Sequence, residues 1–539
     1  MSPDRGGIVV SAAAGRAQDA RAVGRYLTGL RRFLRFPIPP PRAISQVEQG
    51  LKRREESFLD LVDRSIYGNP ASPYGRLLDH AGVEPSDLRD LVRDRGLEGA
   101  LHALQDVGVY VKIEEQRGFV PIRRGSLEIH VGPADFGNPL IRRELETTTG
   151  GSRSAGRRIP VDFAHFTHEA GYTALFLRAF EAERSPVALW FPVPPGHAGL
   201  SNMLCHAKLG TPPQRWFSQY RWHLQPANAK FWGLTAATVY GSRLSRLPLP
   251  RPEYAPLEDA THLARWLDER RRAGLPAVLE TNCSSAVRLC RVSLERSLDL
   301  SGSLIRVGGE PFTEAKAAVL AEAGARAVCH YGMGELGRVG LACAQPSRHD
   351  DCHLASDKLA VISHERPVPG SGETVPALGF TTLLPTAPII ALNLQSGDYA
   401  EIERRSCGCA VGHAGLDVHL HSIRSYEKST SEGMNFLGPE LLALVDDFLP
   451  GRFGGTPTDY QLVEHERGAL TRIELLVSPR IADAAPGEVA DAALDFFAAR
   501  GGSQGLMIDR WRQAEAFSVV RREPRPTPAG KVLPLHLER

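Results

Sequence analysis

Six places in this chain carry side chains that could do chemistry together. Residues 147–156, Thr-Thr-Thr-Gly-Gly-Ser-Arg-Ser-Ala-Gly, are rich in hydroxyls and glycine and stand just before the strand-like Ile159-Pro-Val161. Glycine lets a backbone approach a polyphosphate closely, and amides and hydroxyls supply donors. Thr148, Thr149, Gly150, Gly151, Ser152 and Arg153 are the candidates here, with Arg153 offering a direct phosphate contact. Gly308-Gly309-Glu310 and Tyr331-Gly332-Met333-Gly334-Glu335 each follow an apolar, strand-like run. The carboxyl ends of parallel strands are where open α/β sheets bind ligands. Ser396-Gly-Asp398, Arg424 and Lys531 complete the set with one anion and two cations.

A second constellation is of metal-binding type. Cys343, Cys352, His353, Cys407 and Cys409 lie between the Glu335 and Arg424 stretches, with His349 and His413 nearby. The spacing Cys-x8-Cys, followed by Cys-x-Cys, supplies four thiolates, enough for a closed tetrahedral zinc site that clips two loops. The alternative is four reduced cysteines that merely pack. Which of His349, His353 or a cysteine completes the set stays open. Cys205, Cys283, Cys290 and Cys329 fall in strand or helix contexts and read as buried structural residues.

The elements that must position these groups can be read from periodicity. Residues 1–45 are Arg-rich and end in a proline run, which predicts an appendage and stiff linker. Residues 46–115 have helical spacing, broken by a turn at 69–74. From 158 to 345, strand-like runs at 188–193, 277–281, 304–308 and 327–331 alternate with helices. That alternation predicts a doubly wound parallel sheet. Residues 355–405 are strand-dominated and predict an antiparallel subdomain. Beyond Arg424, helices at 439–448 and 489–499 flank strands at 460–463 and 472–477, which predicts a small α+β lid. The expected division is therefore an α/β domain over 46–423 and a lid over 424–539.

The order of these pieces resembles the adenylate-forming superfamily, in its phenylacetate–CoA ligase and acyl-protein synthetase branch. The resemblance covers roughly residues 55–535 and includes the early Ser72-Pro-Tyr74 stretch. It implies ATP-dependent activation of a carboxylic acid, aryl or acyl, to an acyl-adenylate with release of pyrophosphate. Transfer to a thiol follows, by default that of coenzyme A. It further implies that the Gly308 turn and Tyr331 line the adenine. Glu335 would attend Mg²⁺, while Asp398 and Arg424 would hold the ribose. Lys531, in Pro528-Ala-Gly-Lys531, would relieve the repulsion between carboxylate and triphosphate. Arg153, Gly334 and Gln395 depart from the family's usual Gly, Thr and Arg. Some members of the branch carry zinc in the same subdomain. An amide-forming ligase, a carrier-protein acceptor and a nitrite-activating diazotase are the rival enzymes. A non-catalytic nucleotide-binding protein is the rival of another class.

Composition bounds the rest. The 539 residues exceed a single core. A formal net charge of +2 gives no reason to expect nucleic acid or a membrane surface as partner. There is no apolar run of about 18 residues and no signal-peptide core, so the expectation is cytoplasmic, with no membrane partner. Eight cysteines in so long a chain do not make a disulfide framework. A homodimer is left open. Acid-lining residues are expected among 190–216, Thr281-Asn-Cys-Ser-Ser285 and the Gly308 turn, with His206 and His330 as polar candidates. Phe191, Phe217, Trp222 and Trp232 read as core more readily than as pocket.

Overall fold

Apolar runs without alternation make strands buried on both faces. Such runs form β1 (Val187–Trp190), β4 (Val278–Asn282) and β5 (Leu304–Gly308), and the less apolar β2 (Arg215–Ser218), β3 (Pro252–Tyr254) and β6 (Arg326–Cys329) complete the sheet. They pair in parallel in the order β6-β5-β4-β1-β2-β3, and every residue of β1, β4 and β5 is buried. The chain winds outward from β1 to β3, then returns to the other side of β1 with β4. The switch point of this sheet is therefore the gap between the carboxyl ends of β1 and β4. The computed structural model describes residues 24–141, 145–148, 158–194, 196–220, 229–245, 247–368, 374–426, 428–431, 434–437, 443–481, 485–499, 503–526 and 532–538.

An eight-stranded, mainly antiparallel sheet follows. Its path runs β7 (Tyr331–Met333), β8 (Gly337–Ala342), β9 (Cys352–Leu354), β13 (Val418–Ser425), β12 (Leu394–Arg404), β11 (Thr374–Thr382) and β10 (Leu359–Pro367). Val111–Lys112 adds a short parallel pairing to β12. The third sheet joins β14 (Tyr460–Arg467) and β15 (Leu470–Val477) as an antiparallel pair, flanked in parallel by β16 (Phe517–Arg521) and β17 (Leu535–Leu537). The predicted mixed α/β architecture is thus present. The segment 438–442, in the expected helix at 439–448, lies outside the described residues. Its remainder is π-helical over Ala443–Phe448 and is followed by a short helix, Leu449–Phe453. No described helix is long and apolar enough to cross a membrane.

Residues 24–45, expected as part of an appendage, are packed into the molecule. Residues 24–35 are helical and bury Tyr26, Leu30, Phe33 and Leu34, an i, i+4, i+7, i+8 stripe. Tyr26 Oη lies 2.8 Å from Thr238 Oγ1. The prolines at 37–41 did not end the ordered chain. They start α1 (Pro40–Lys52), where a missing N–H costs nothing in the first turn. Helix α1 packs on α2 (Phe163–Ala179) so closely that a Cβ at Gly171 would meet Ala43 O and Val47 Cγ2 at 2.7 Å. Gly171→Ala should therefore overpack the contact by roughly 1–3 kcal/mol. A thermal melt should show a loss of several degrees, and an unchanged melt would mean that α1 does not pack as described.

Candidate active-site cleft and metal cluster

A cleft of about 380 Å³ opens at the carboxyl ends of the parallel strands, at the switch point. Phe191 and Pro192 follow β1, Thr281 and Asn282 close β4, and the Gly308 turn follows β5. Cys329 and His330 lead from β6 into Tyr331, and all of these line the cleft. This is where the topology of an open α/β sheet leaves room for a ligand. Glycine is required at 308, where a Cβ would lie 2.5 Å from His330 O, and at 309, where φ is +79°.

Four separate sequence stretches meet here. Gly308, Gly309, Glu310, Tyr331, Gly332, Met333, Glu335, Asp398 and Arg424 all border the cleft. Tyr331 Oη donates to Asp398 Oδ2 at 2.8 Å, and Ser425 Oγ donates to Asp398 Oδ1 at 2.7 Å. Burial and the Asp398 carboxylate push the Tyr331 phenol well above its ordinary value, so it stays a donor. The backbone register explains the second bond, since Asp398 on β12 is paired with Ser425 on β13. Glu310 is nearly buried. Its carboxylate accepts from Ser284 Oγ at 2.5 Å, at the start of α4 (Cys283–Glu295), and lies 3.8 Å from Lys316 Nζ on α5 (Glu314–Glu322). Thr148 ends a strand, Leu145–Thr148. Thr149, Gly150, Gly151, Ser152, Arg153, Trp222 and Lys531 lie outside the described residues.

Several partners were not visible from motifs. Glu335 is ion-paired with Arg117, and both side chains are largely buried in the cleft wall. Arg424 Nη1 donates to Asp350 Oδ2 at 3.1 Å, and Asp350 also accepts from the amides of Ser422 and Ile423. Arg510, from α7 (Ser503–Ala514), the helix that follows α6 (Pro486–Ala498), reaches the same cleft. On the opposite side the cleft meets α3 (His197–Lys208) through Ser201, Asn202 and Cys205, together with Arg306 and Arg338. Of the two histidines expected to line it, His330 does. His206 lies beneath, its Nε2 2.7 Å from Glu280 Oε1. Phe191 lines the cleft, whereas Phe217 and Trp232 belong to the core.

The cysteine cluster exists with a different membership from the one predicted by spacing. Cys343, His353, Cys407 and Cys409 present ligand atoms all within 4.8 Å of one another, and all four residues are buried. Cys352 is not among them. It sits on β9, where successive side chains point to opposite faces, and its Sγ is 3.4 Å from Cys329 O. The donor set is three thiols and one imidazole, a tetrahedral zinc type. His353 Nδ1 donates to Leu416 O at 2.6 Å, which leaves Nε2 facing Cys409 Sγ at 3.2 Å and Cys407 Sγ at 3.5 Å. Such an outer hydrogen bond fixes the ring of a metal-binding histidine. Hydrogen bonding from Cys343 holds the Cys409 thiol well below its ordinary value, while hydrogen bonding to Cys409 and burial push the Cys343 thiol up. Behind the cluster His419 Nδ1 lies 2.7 Å from Asp351 Oδ1, and Asp351 is ion-paired with Arg405.

No family model matches this sequence, and no curated protein matches it in sequence. In three dimensions the chain is similar to 2-hydroxyisobutyryl-CoA ligase solved with 2-HIB-AMP and CoA in its thioesterification state. The TM-score is 0.54 at 16% identity, over 94% of this chain and 92% of that one. At that identity the likeness is one of fold. A weaker likeness, TM-score 0.39 at 12% identity, extends over 72% of this chain and 67% of o-succinylbenzoate CoA synthetase from Bacillus subtilis.

The half-buried imidazoles of the cleft set a pH dependence. Burial pushes His165 down to about 3 and His197 down to about 4, so both are neutral in the folded state. An unfolded chain protonates them below about 6.5. Folding stability is therefore lost as the pH falls from about 6.5 toward 4. Burial raises Glu169, but Lys358 and other cations outweigh it and hold the carboxyl down to about 2, adding a further loss only below about 4.5. The melting temperature should be level between pH 7 and 8 and fall steadily below 6.5. His165→Gln should flatten that fall, and a wild-type melt that stays level down to pH 5 would refute it.

Proposed function

We propose that the protein activates a carboxylic acid with ATP, forming an acyl-adenylate and pyrophosphate, and passes the acyl group to coenzyme A. The observation that carries this reading is the convergence of Tyr331, Asp398, Arg424 and the Gly308 turn on one cleft at a sheet switch point. The fold, shared with a ligase described with an acyl-AMP and CoA, supports it.

In this reading Asp398 accepts hydrogen bonds from the ribose, already oriented by Tyr331 and Ser425. Arg424, steadied by Asp350, lies against the same sugar. The glycines at 308 and 309 let the backbone pass close to the base. Mg²⁺ would arrive with the triphosphate, as it takes few protein carboxylates. Glu335 is the carboxylate offered to it, exchanging or sharing its contact with Arg117. Thr148, Thr149, Gly150, Gly151, Ser152 and Arg153 would cradle the phosphates. Lys531 would draw carboxylate and α-phosphate together, offsetting the repulsion of two anions.

The test is pyrophosphate release from ATP and Mg²⁺ across a panel of acids, with and without coenzyme A. Thioester should appear only when coenzyme A is present. Asp398→Ala should raise the KM for ATP roughly 10–100-fold, the worth of charge-assisted hydrogen bonds at about 1.5–3 kcal/mol. An Asp398→Ala enzyme that keeps its ATP KM would remove Asp398 from the nucleotide site.

The cluster of Cys343, His353, Cys407 and Cys409 we assign to structural zinc, with all four positions filled by protein and none left for substrate. Purified protein should carry about one zinc per chain, given tight thiolate binding. Cys409→Ser should lower that content sharply, while Cys352→Ser should leave it intact. Equal loss in both variants would return Cys352 to the ligand set.

A further inference from the structure

Arg117 belongs to none of the motifs that led to the cleft, yet it stands in the cleft wall. It follows a single helical turn, Ile113–Gln116, and its amide donates to Ile113 O at 3.0 Å. That turn is itself keyed to β12. Val111–Lys112 pairs with Leu394 and Gln395, just ahead of Asp398 on the same strand. The Lys112 amide donates to Glu115 at 2.8 Å, and Glu115 takes the Arg124 fork at 2.9 and 3.1 Å. The backbone that carries Arg117 is thus tied to the strand that carries the ribose carboxylate.

Two features of the side chain point to a ligand. Nη2 is ion-paired with Glu335, but Nε is buried and has no hydrogen-bond partner. A guanidinium carries five donors, and a buried one left unmade is costly. The second feature is the partner itself, since Glu335 is the carboxylate offered to Mg²⁺. A metal ion on that carboxylate competes with the guanidinium for the same anion. When the metal is bound, Arg117 needs another anion, and the anion that arrives with Mg²⁺ is a triphosphate.

Resting on the adenylation reading, we propose that Arg117 binds the β- and γ-phosphates of ATP, the part that leaves as pyrophosphate. Glu335 and Arg117 hold each other until Mg·ATP separates them, the carboxylate going to the metal and the guanidinium to the phosphates. A guanidinium fork suits phosphate oxygens, and such charge-assisted hydrogen bonds are the strong ones. In the reaction a carboxylate oxygen of the acid attacks the α-phosphorus and forms a new O–P bond. The bond from the α-phosphorus to the bridging oxygen breaks, and its electron pair leaves with pyrophosphate. The negative charge so gained falls on the group that Arg117 holds, where a fixed cation offsets it. AMP lacks both phosphates and does not sense Arg117.

Calorimetric titration of the full chain with Mg·ATP and with AMP tests this without the acid. Arg117→Met should weaken Mg·ATP binding roughly 10–100-fold and leave AMP binding within a few-fold, and Arg117→Lys should recover part of the loss. Equal losses for ATP and AMP would make Arg117 a support of the whole nucleotide site and overturn the assignment. An unchanged ATP affinity would overturn it too. Arg117→Met leaves Glu335 buried and unmatched, so a second comparison removes that charge as well. Glu335→Gln and the double variant Arg117→Met/Glu335→Gln are titrated with ATP in EDTA. The variant that keeps Arg117 should bind ATP roughly 10–100-fold more tightly, with AMP alike in the two. Equal ATP affinities there would overturn the assignment and leave adenylation standing. A wild-type chain that binds neither nucleotide would overturn the adenylation reading itself.

Discussion

The turn that leads into β9, together with the alternation of side chains along that strand, governs how this molecule joins its cleft to its cysteine cluster. Four consecutive residues, Asp350 to His353, serve four different neighbours. Asp350 takes Arg424 and two amides of β13 at the cleft. Asp351 takes His419 and Arg405 behind the cluster. Cys352 turns to Cys329 O, beside the strand that delivers Tyr331, and His353 enters the cluster. A one-residue slip would exchange these partners and place buried acids against the wrong groups. His353 Nε2, facing Cys407 and Cys409, ties this segment to their loop, next to the acid on which Arg424 rests.

The same economy of buried charge organises the opposite wall. Glu169 on α2 and Glu280 on β4 come from elements far apart in sequence, yet each meets a cation from another element. Pairs of this kind rarely add net stability, because desolvation offsets most of the attraction. Their geometric consequence is larger. With Arg306 and Arg338 both bonded to Asn202, α3, β5 and β8 are held in one relation at the cleft floor. Loss of one charged member of such a pair would leave its partner buried and unmatched.

The parts legible in the sequence were those whose physics is local. Glycines at 308 and 309, the strand-following aromatic at 331 and the acid at 398 announce themselves by neighbours a few residues away. The alternation of strands and helices before residue 345 was equally plain, since full burial of parallel strands writes continuous apolar runs. Arg117, Asn202, Asp350 and Arg510 were not legible. Each acts through a partner tens to hundreds of residues distant, and nothing in its own surroundings distinguishes it from a surface polar residue. Cys352 failed for a different reason. Thiol spacing suggests a ligand, but only the strand on which it lies decides its face. The 24–45 segment misled because its prolines and arginines mask a stripe of four apolar residues, and prolines that start a helix look like prolines that prevent one.

The small third sheet is tied to the cleft by its margin. Thr313 Oγ1 donates to Glu466 at 2.7 Å, and Lys316 Nζ reaches Thr471 Oγ1 at 3.3 Å while also facing Glu310. Glu310 closes the turn that begins at Gly308. A lysine shared between that turn and β15 therefore makes the turn's electrostatics depend on where the small sheet sits. Arg288 and Arg472 both donate to Ala514 O at 2.8 Å, which anchors the end of α7, the helix that carries Arg510 to the cleft. These are polar bonds at the edge of an apolar contact that includes Leu470, Ile473 and Ala516. Hydrogen bonds of this sort are individually modest and can be exchanged for water at small net cost. A ligand that needs Arg510 at the cleft would favour the docked arrangement, and one that must enter or leave past it would favour its release. In that case the position of the small sheet and the occupancy of the cleft would be linked through the same few side chains.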